Sequence, residues 1–476
     1  MSSTRTVATI ILGVLVIAAL PRSASGDWPV FDHDAARSGY AFGDNTITLT
    51  NVARLHRRWV ATFDAPADGA PILVSNVALS PSATQTLLFQ ETLRGTTYAI
   101  NAHSGAIVWK RTTQGPNITN SMPAEDPSGQ WIYAPGVDAH VHKFAASNGR
   151  ESFGSGFPLR VTWFPQIEKD GTSLNVANGY LYATTGGYFG DRGQYDGHVV
   201  TLRLRDGQVH VVNSLCHYIH RLITTLGECP YSKSGIWARE GAVVDPDPSM
   251  AGRIYVATGN GRFDANQGGQ DYGDSVLAIG ADGFSLLDTF TPNDYILLGS
   301  EDIDLGSTAP VMLPRESESS TPLMAIQGGK DGVLRLLNRQ HLGGVGGELQ
   351  DYNLSHPIFT APAVWTDRSG TTWIFVNTLS GMTALQLVTT DGKSALRGIW
   401  SSRVGGTSPV VANGIVFAAR NNAVHAMNAR NGNVVWSSSQ SSAGGSIGLV
   451  HWESPIVVNG WLYISDESGN LTAYSL

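Results

Sequence analysis

The chain has 476 residues, a formal net charge of −8 and 15% charged residues, against about 25% in an average soluble domain. Mild acidity without a basic run excludes nucleic acid as an expected partner. Length alone suggests two or three domains, but 54 glycines point to a turn-rich all-β chain whose repeats share one closed structure.

The N-terminus opens with Arg5 and an apolar run from Val7 to Leu20, followed by the small residues Ala24 and Gly26. This pattern predicts a signal peptide over residues 1–26, cleaved before Asp27. The run is shorter than the about 20 residues a membrane span needs. No Cys stands at the cleavage point to take a lipid, and no later stretch is apolar enough to span. The expected product is secreted or periplasmic, with residues 27–476 forming one domain.

Asp27 to Asn51 reads as irregular chain, and Leu55 to Phe63 as a strand carrying Trp59. Eight units follow. The first runs from Ala70 to Arg111, and the second starts near Ser121. The third holds NGYLYATTGG from Asn178, and the fourth GRIYVATGNG from Gly252. The fifth starts at Thr308, the sixth at Thr360, the seventh at Ser408 and the eighth at Glu453. Units three to five carry extra residues in 188–196, 213–239, 262–274 and 292–305, predicted to gather on one face as loops borne by a rigid scaffold. Cys216 and Cys229 are the two cysteines and fall in the second of these loops. In an oxidising compartment they are expected to form a disulfide that pins the insertion, two buried free thiols being the alternative. Without C-x-x-C-H, no c-type haem is expected.

The seventh unit is the clearest. SPVVANGIVFAARNNAVHAMNARNGNVVW, Ser408 to Trp436, reads as four short strands with turns at Asn413-Gly414, Asn421-Asn422 and Asn431-Gly432. Thr96 to Trp109 repeats its second half, placing Ala99, Asn101, Gly105 and Trp109 at the spacing of Ala426, Asn428, Gly432 and Trp436. A looser copy ends at Phe153 in place of Trp. A four-stranded meander cannot bury both faces alone and needs copies on either side. The eighth unit stops after three strands, and Leu55 to Phe63 is the spare fourth. The predicted fold is an all-β, eight-bladed β-propeller of four-stranded antiparallel blades, closed by pairing the N-terminal strand with the C-terminal blade.

The Ala-x-Asn-x-x-x-Gly-x-x-x-Trp pattern resembles the tryptophan-docking repeat of the quinoprotein dehydrogenases, which hold pyrroloquinoline quinone (PQQ) and Ca²⁺ on the propeller axis. The resemblance implies roles for four residues. Trp237, in GIWAREG, matches the tryptophan under the quinone. Asn260, in ATGN, matches the Ca²⁺-binding asparagine. Asp302, in EDIDLGS with Asp304, matches the catalytic base and a metal ligand. Lys330, in GGKDG, matches the cation that contacts the quinone oxygens. The family's Ca²⁺-binding glutamate is replaced by Tyr188 in GGYFGDRG, with Asp191 three residues on as a substitute carboxylate. The family's adjacent cysteine pair is absent. The implied activity is a PQQ- and Ca²⁺-dependent dehydrogenase oxidising an alcohol or sugar and passing electrons to a separate acceptor. The alternative is a non-catalytic binding or assembly propeller of the outer-membrane assembly type.

Each residue also has a plainer reading. Asn260 can shape a turn, and Asp302 and Asp304 can cap a loop. Lys330 can be a solvated hairpin residue, and Trp237 a core aromatic. His198, His217 and His220 match no zinc spacing. Asn117, Asn353 and Asn470 begin acceptor sequons for glycosylation.

Overall fold

The computed structural model describes residues 26–476; residues 1–25 of the expected signal peptide lie outside them. Among the described residues, the strands build eight sheets in a ring, one per predicted unit. Blade one comprises Ile72–Ser80, Ala83–Glu91, Thr96–Asn101 and Ile107–Thr112. Blade seven comprises Val410–Ala412, Ile415–Arg420, Ala423–Asn428 and Val434–Ser437. In blade eight, Ile456–Val458, Trp461–Ser465 and Asn470–Ser475 are completed by His56–Thr62 from the start of the chain. That strand pairs antiparallel with the last one, Arg57 opposite Tyr474 and Trp59 opposite Ala473. The ring closes by the predicted joining of chain ends.

Each sheet is sandwiched between two others, which explains why its strands are apolar on both faces. Along Ile415–Arg420, Val416 and Ala418 pack with Phe375 and Met382 of blade six. The alternate residues Ile415, Phe417 and Ala419 pack with Tyr463 and Ile464 of blade eight. Period-two alternation persists, but it sorts side chains between two dry interfaces rather than between core and water.

The repeat motif has a physical role at every position. Ala99 stands opposite Trp109 and Ala426 opposite Trp436, each just before a bulge. Asn101 Oδ1 accepts the backbone N–H groups of His103 and Ser104, and Asn428 Oδ1 that of Arg430, shaping the turn that follows. Gly105, Gly149 and Gly432 have φ of +73°, +67° and +72°, and the indole of the preceding blade lies flat on each. The indole N–H of Trp59 donates to Ala102 O at 3.2 Å, that of Trp109 to Ala146 O at 2.8 Å, and that of Trp400 to Ala429 O at 2.9 Å. One glycine and one tryptophan thus stitch each of these blade pairs. Blade eight lacks this turn, because its outer strand comes from the other chain end. There Trp436 donates to Leu55 O instead, at 2.9 Å.

Two expectations need correction. Phe153 does not dock; it is 73% exposed. The outer strand of blade two is Leu159–Arg160, and the Ser155-Gly156 turn packs against Gly207 in place of an aromatic ring. Asn413 and Gly414 both take positive φ, as a two-residue hairpin requires, but at Asn431-Gly432 only the glycine does. That turn is longer, with Asn428 N–H donating to Asn433 O at 2.9 Å.

The irregular N-terminal segment is a strap across one end of the ring. Trp28 exchanges two backbone hydrogen bonds with Leu73 of blade one, and Pro29 O accepts the N–H of Glu125 in blade two. Ala35 O accepts Val244 N–H in blade four, and Ser38 O accepts Val364 N–H in blade six. Blades two and six are opposite in an eight-membered ring, so the chain between Pro29 and Ser38 crosses the axis. Arg37 is fully buried there, its guanidinium bonded to the carbonyls of Phe31 at 2.8 Å, Glu240 at 2.9 Å and Leu174 at 3.0 Å. The buried Asp32 and Glu240 carboxyls flank it. No helix among the described residues is long and apolar enough to cross a membrane.

Candidate functional site

The long loops of blades three to five gather on one face, as expected. Cys216 and Cys229 form a disulfide. Their loop is held by Cys216 N–H on Asp271 at 2.8 Å and His217 N–H on Gln270 O at 3.0 Å. Phe263 packs on Tyr295, and the Arg262 guanidinium lies over Tyr231. These contacts give the loops a fixed shape around the four residues singled out by sequence.

Those four residues meet. Asn260 follows the strand Ile254–Ala257 and is 3% exposed. Its backbone N–H donates to Asp304 Oδ1 at 2.7 Å, and its carboxamide lies 3.3 Å from Asp302 Oδ1 and 3.1 Å from Asp191 Oδ2. Lys330 Nζ is 2.7 Å from Asp304 Oδ2, 3.3 Å from Asp302 Oδ1 and 5.4 Å from the centre of the Trp237 ring. Trp237 is half-buried, with the Lys330 ammonium over its ring. A Cβ on Gly259 would stand 3.1 Å from Trp237 Nε1 and 3.2 Å from the Asp304 carboxyl, so glycine is what lets the strand end pass between them.

The plainer readings fail at Lys330 and Asp302 and hold at Asp304. Lys330 is not a solvated hairpin residue, because its side chain turns inward onto two carboxylates. Asp304 bonds a backbone N–H, that of Asn260, as the loop-capping reading expected. Asp302 sits at φ +56°, outside any helix, with its side chain 66% exposed toward solvent.

Sequence reasoning missed part of the group. Asp191, weighed as a substitute carboxylate, reaches Asn260 and also pairs with Lys233 Nζ at 3.1 Å and the Tyr195 hydroxyl at 2.7 Å. Tyr188 turns away, its hydroxyl donating to Pro165 O at 2.9 Å and its ring beneath Lys169. Lys233, Tyr195 and Asp274 carried no motif. His198 is buried and paired with Glu168 and Asn213, apart from His217 and His220, which pack on each other.

The electrostatics follow from burial and charge. Burial disfavours the Lys330 ammonium, but Asp304 and Asp302 outweigh it and hold its pKa above the ordinary value. Burial raises Asp304 against the pull of Lys330, and pushes the Asp274 carboxyl up to about 8. At Asp191, burial is outweighed by Tyr195, Asn260 and Lys233, and the carboxyl titrates below its usual range. Asp191 and Asp302 both accept from the Asn260 Nδ2 amide, and with that carboxamide turned over the three side chains would offer oxygen donors only. Such hard donors suit Ca²⁺, which takes about six to eight oxygens. The indole with an ammonium above it suits a flat anionic ring. In type, though not in the orientation of the Asn260 carboxamide, the residues present suit both groups implied by the family resemblance.

A family profile described as outer membrane protein assembly factor BamB matches residues 41–215 and 367–476, more than half of the chain. No curated protein sequence matches. Among solved structures, a europium-containing methanol dehydrogenase superposes with a TM-score of 0.67 at 14% identity, covering 96% of this chain and 99% of that one. Quinohemoprotein alcohol dehydrogenase ADHIIG from Pseudomonas putida HK5 superposes at 0.64 and 14% identity, covering 95% and 80%. BamB from Moraxella catarrhalis superposes at 0.50 and 11% identity, covering 89% and 98%. At these identities the superpositions establish shared architecture, and together with the profile match they place the chain in the PQQ-like β-propeller family.

Proposed function

We propose that this protein is an exported dehydrogenase that uses PQQ and Ca²⁺ to oxidise a small alcohol or sugar and passes the electrons to a separate acceptor. The observation that supports this most is the convergence of Trp237, Asn260, Asp302 and Lys330, which come from separate loops and meet within hydrogen-bond or ring-contact distance. All four fall in residues 216–366, between the two stretches matched by the BamB-described profile. The disulfide is consistent with a secreted or periplasmic location.

Asn260, Asp302 and Asp191 would hold the cation, with Trp237 beneath the quinone and Lys330 at its edge. The bound quinone supplies a two-electron acceptor, and the cation supplies Lewis acidity. Asp302, exposed toward solvent, takes the proton of the substrate hydroxyl as general base. Lys330, 3.3 Å from that carboxylate, stabilises negative charge developing beside it.

The test is reconstitution of purified protein with PQQ and Ca²⁺, followed by absorption spectroscopy and dye reduction with an alcohol panel. Retained quinone with substrate-dependent turnover is the expected result, and Asp302→Asn should keep the quinone and lose turnover by at least ~10²-fold. Failure to retain quinone would refute the proposal. It would favour the second reading, a non-catalytic binding or assembly propeller, for which Tyr188 speaks by replacing an anionic ligand.

A further inference from the structure

A second group of titratable side chains stands apart from the Trp237 site, where blade eight adjoins blade one. Asp68 precedes the inner strand of blade one, His451 and Glu453 precede that of blade eight, and Glu467 lies in the turn before Asn470–Ser475. Asp68, His451 and Glu467 each offer one ligand atom, all within 4.8 Å of one another. His451 Nδ1 is 3.5 Å from Asp68 Oδ1.

A third carboxylate backs this triad. Glu453 is fully buried, accepts the His451 backbone N–H through Oε2, and lies within hydrogen-bond reach of Glu467. Its other oxygen, Oε1, has no hydrogen-bond partner, and neither has Oε1 of Glu467. The one guanidinium nearby, Arg239, is 3.5 Å from Asp68 and is spread over the Trp452 ring. Those two oxygens leave room for a partner that the surrounding side chains do not supply.

Access and ligand type narrow the choice. The His451 side chain is 59% exposed and, with Trp452 and Phe359, lines a cavity of about 370 Å³. An ion can therefore enter from solvent. Imidazole among the ligands selects borderline first-row metals over Ca²⁺, which prefers oxygen alone. The all-oxygen Asn260 group and this imidazole-containing group differ in the ion they favour. Ring contacts run from Trp237 through Phe359 and Trp452 to His451 and link the two groups.

We propose that Asp68, His451 and Glu467, backed by Glu453, bind a divalent first-row transition ion, Zn²⁺ or Mn²⁺, at the seam between blades one and eight. The experiment uses the full mature chain, stripped with chelator and titrated calorimetrically with Zn²⁺ and, separately, Mn²⁺, in millimolar Ca²⁺ and without quinone. At least one of the two ions should bind with a stoichiometry of one. His451→Ala, at an exposed side chain that does not threaten folding, should weaken binding at least tenfold, and Glu467→Gln similarly. Asp302→Asn should leave the isotherm unchanged, which separates this site from the proposed dehydrogenase site. Absence of binding by either ion would overturn the proposal, as would a His451→Ala isotherm matching that of the unaltered protein.

Discussion

Replacing Gly432 with alanine tests the account of how the ring is held together. The residue has φ +72°, and an added Cβ would stand 2.6, 2.9 and 3.0 Å from three ring atoms of Trp400. The ring cannot readily retreat, because its N–H is bonded to Ala429 O and its other side meets Phe375. The left-handed conformation alone costs alanine about 1–2 kcal/mol, and forced overpacking adds about 1–3 kcal/mol. The expected loss is therefore about 2–5 kcal/mol. Gly370→Ala is the matched control, with φ +85° and nothing within 4 Å of the added carbon. It should lose only the conformational part, about 1–2 kcal/mol. Urea unfolding followed by far-ultraviolet circular dichroism measures both. In a Trp400→Ala background the extra penalty at Gly432 should vanish, a coupling of about 1–3 kcal/mol. Equal losses at Gly432 and Gly370, or an undiminished Gly432 penalty without the indole, would refute tryptophan docking as the cause.

Three other outcomes are expected. Arg37→Met strands carbonyls of the strap and blades three and four beside the acids Asp32 and Glu240, and should cost about 3–5 kcal/mol; hydrogen exchange should rise across residues 27–51, and an unchanged urea midpoint would contradict the assignment. Glu240 is held up to about 7 by burial, against a usual value near 4.5, so it keeps its proton in the folded chain where the unfolded chain has lost it. Stability should therefore fall as pH rises from about 4.5 toward about 7, and Glu240→Gln should flatten part of that slope in a series of melting curves. A paired Cys216→Ser and Cys229→Ser exchange opens a loop of 13-residue separation, about 3 kcal/mol by loop-closure entropy; hydrogen exchange should increase within residues 213–239 and leave blades six and seven unchanged.

The blades were legible because their stitching is local in pattern. Alanine, asparagine, glycine and tryptophan recur at fixed spacing, and each has one geometric duty that few other residues can perform. Phe153 misled because spacing alone suggested docking, whereas the contact at Gly207 is made by a backbone turn that leaves no aromatic signature. The strap had no periodicity to read: its hydrogen bonds go to eight-fold arranged partners far away in sequence, through carbonyls that any residue carries. At the site, Trp237, Asn260, Asp302 and Lys330 could be named because short motifs surround them. Lys233 and Tyr195 could not, since what brings them to Asp191 is loop packing. Asp68, His451, Glu453 and Glu467 were hidden for the same reason.

Pairing His56–Thr62 with Asn470–Ser475 also sets the order of assembly. The strand that completes the last sheet is synthesised before any other blade strand, and it must wait for its partner until the strands of all eight blades have been made. Blades one to seven can condense as they emerge, but the circle can lock only after Asn470–Ser475 is available. Contacts this distant along a chain form late and slowly. A truncation of a few residues at the C-terminus should therefore yield an unsealed arc with two raw sheet edges, prone to pair with other molecules rather than with itself.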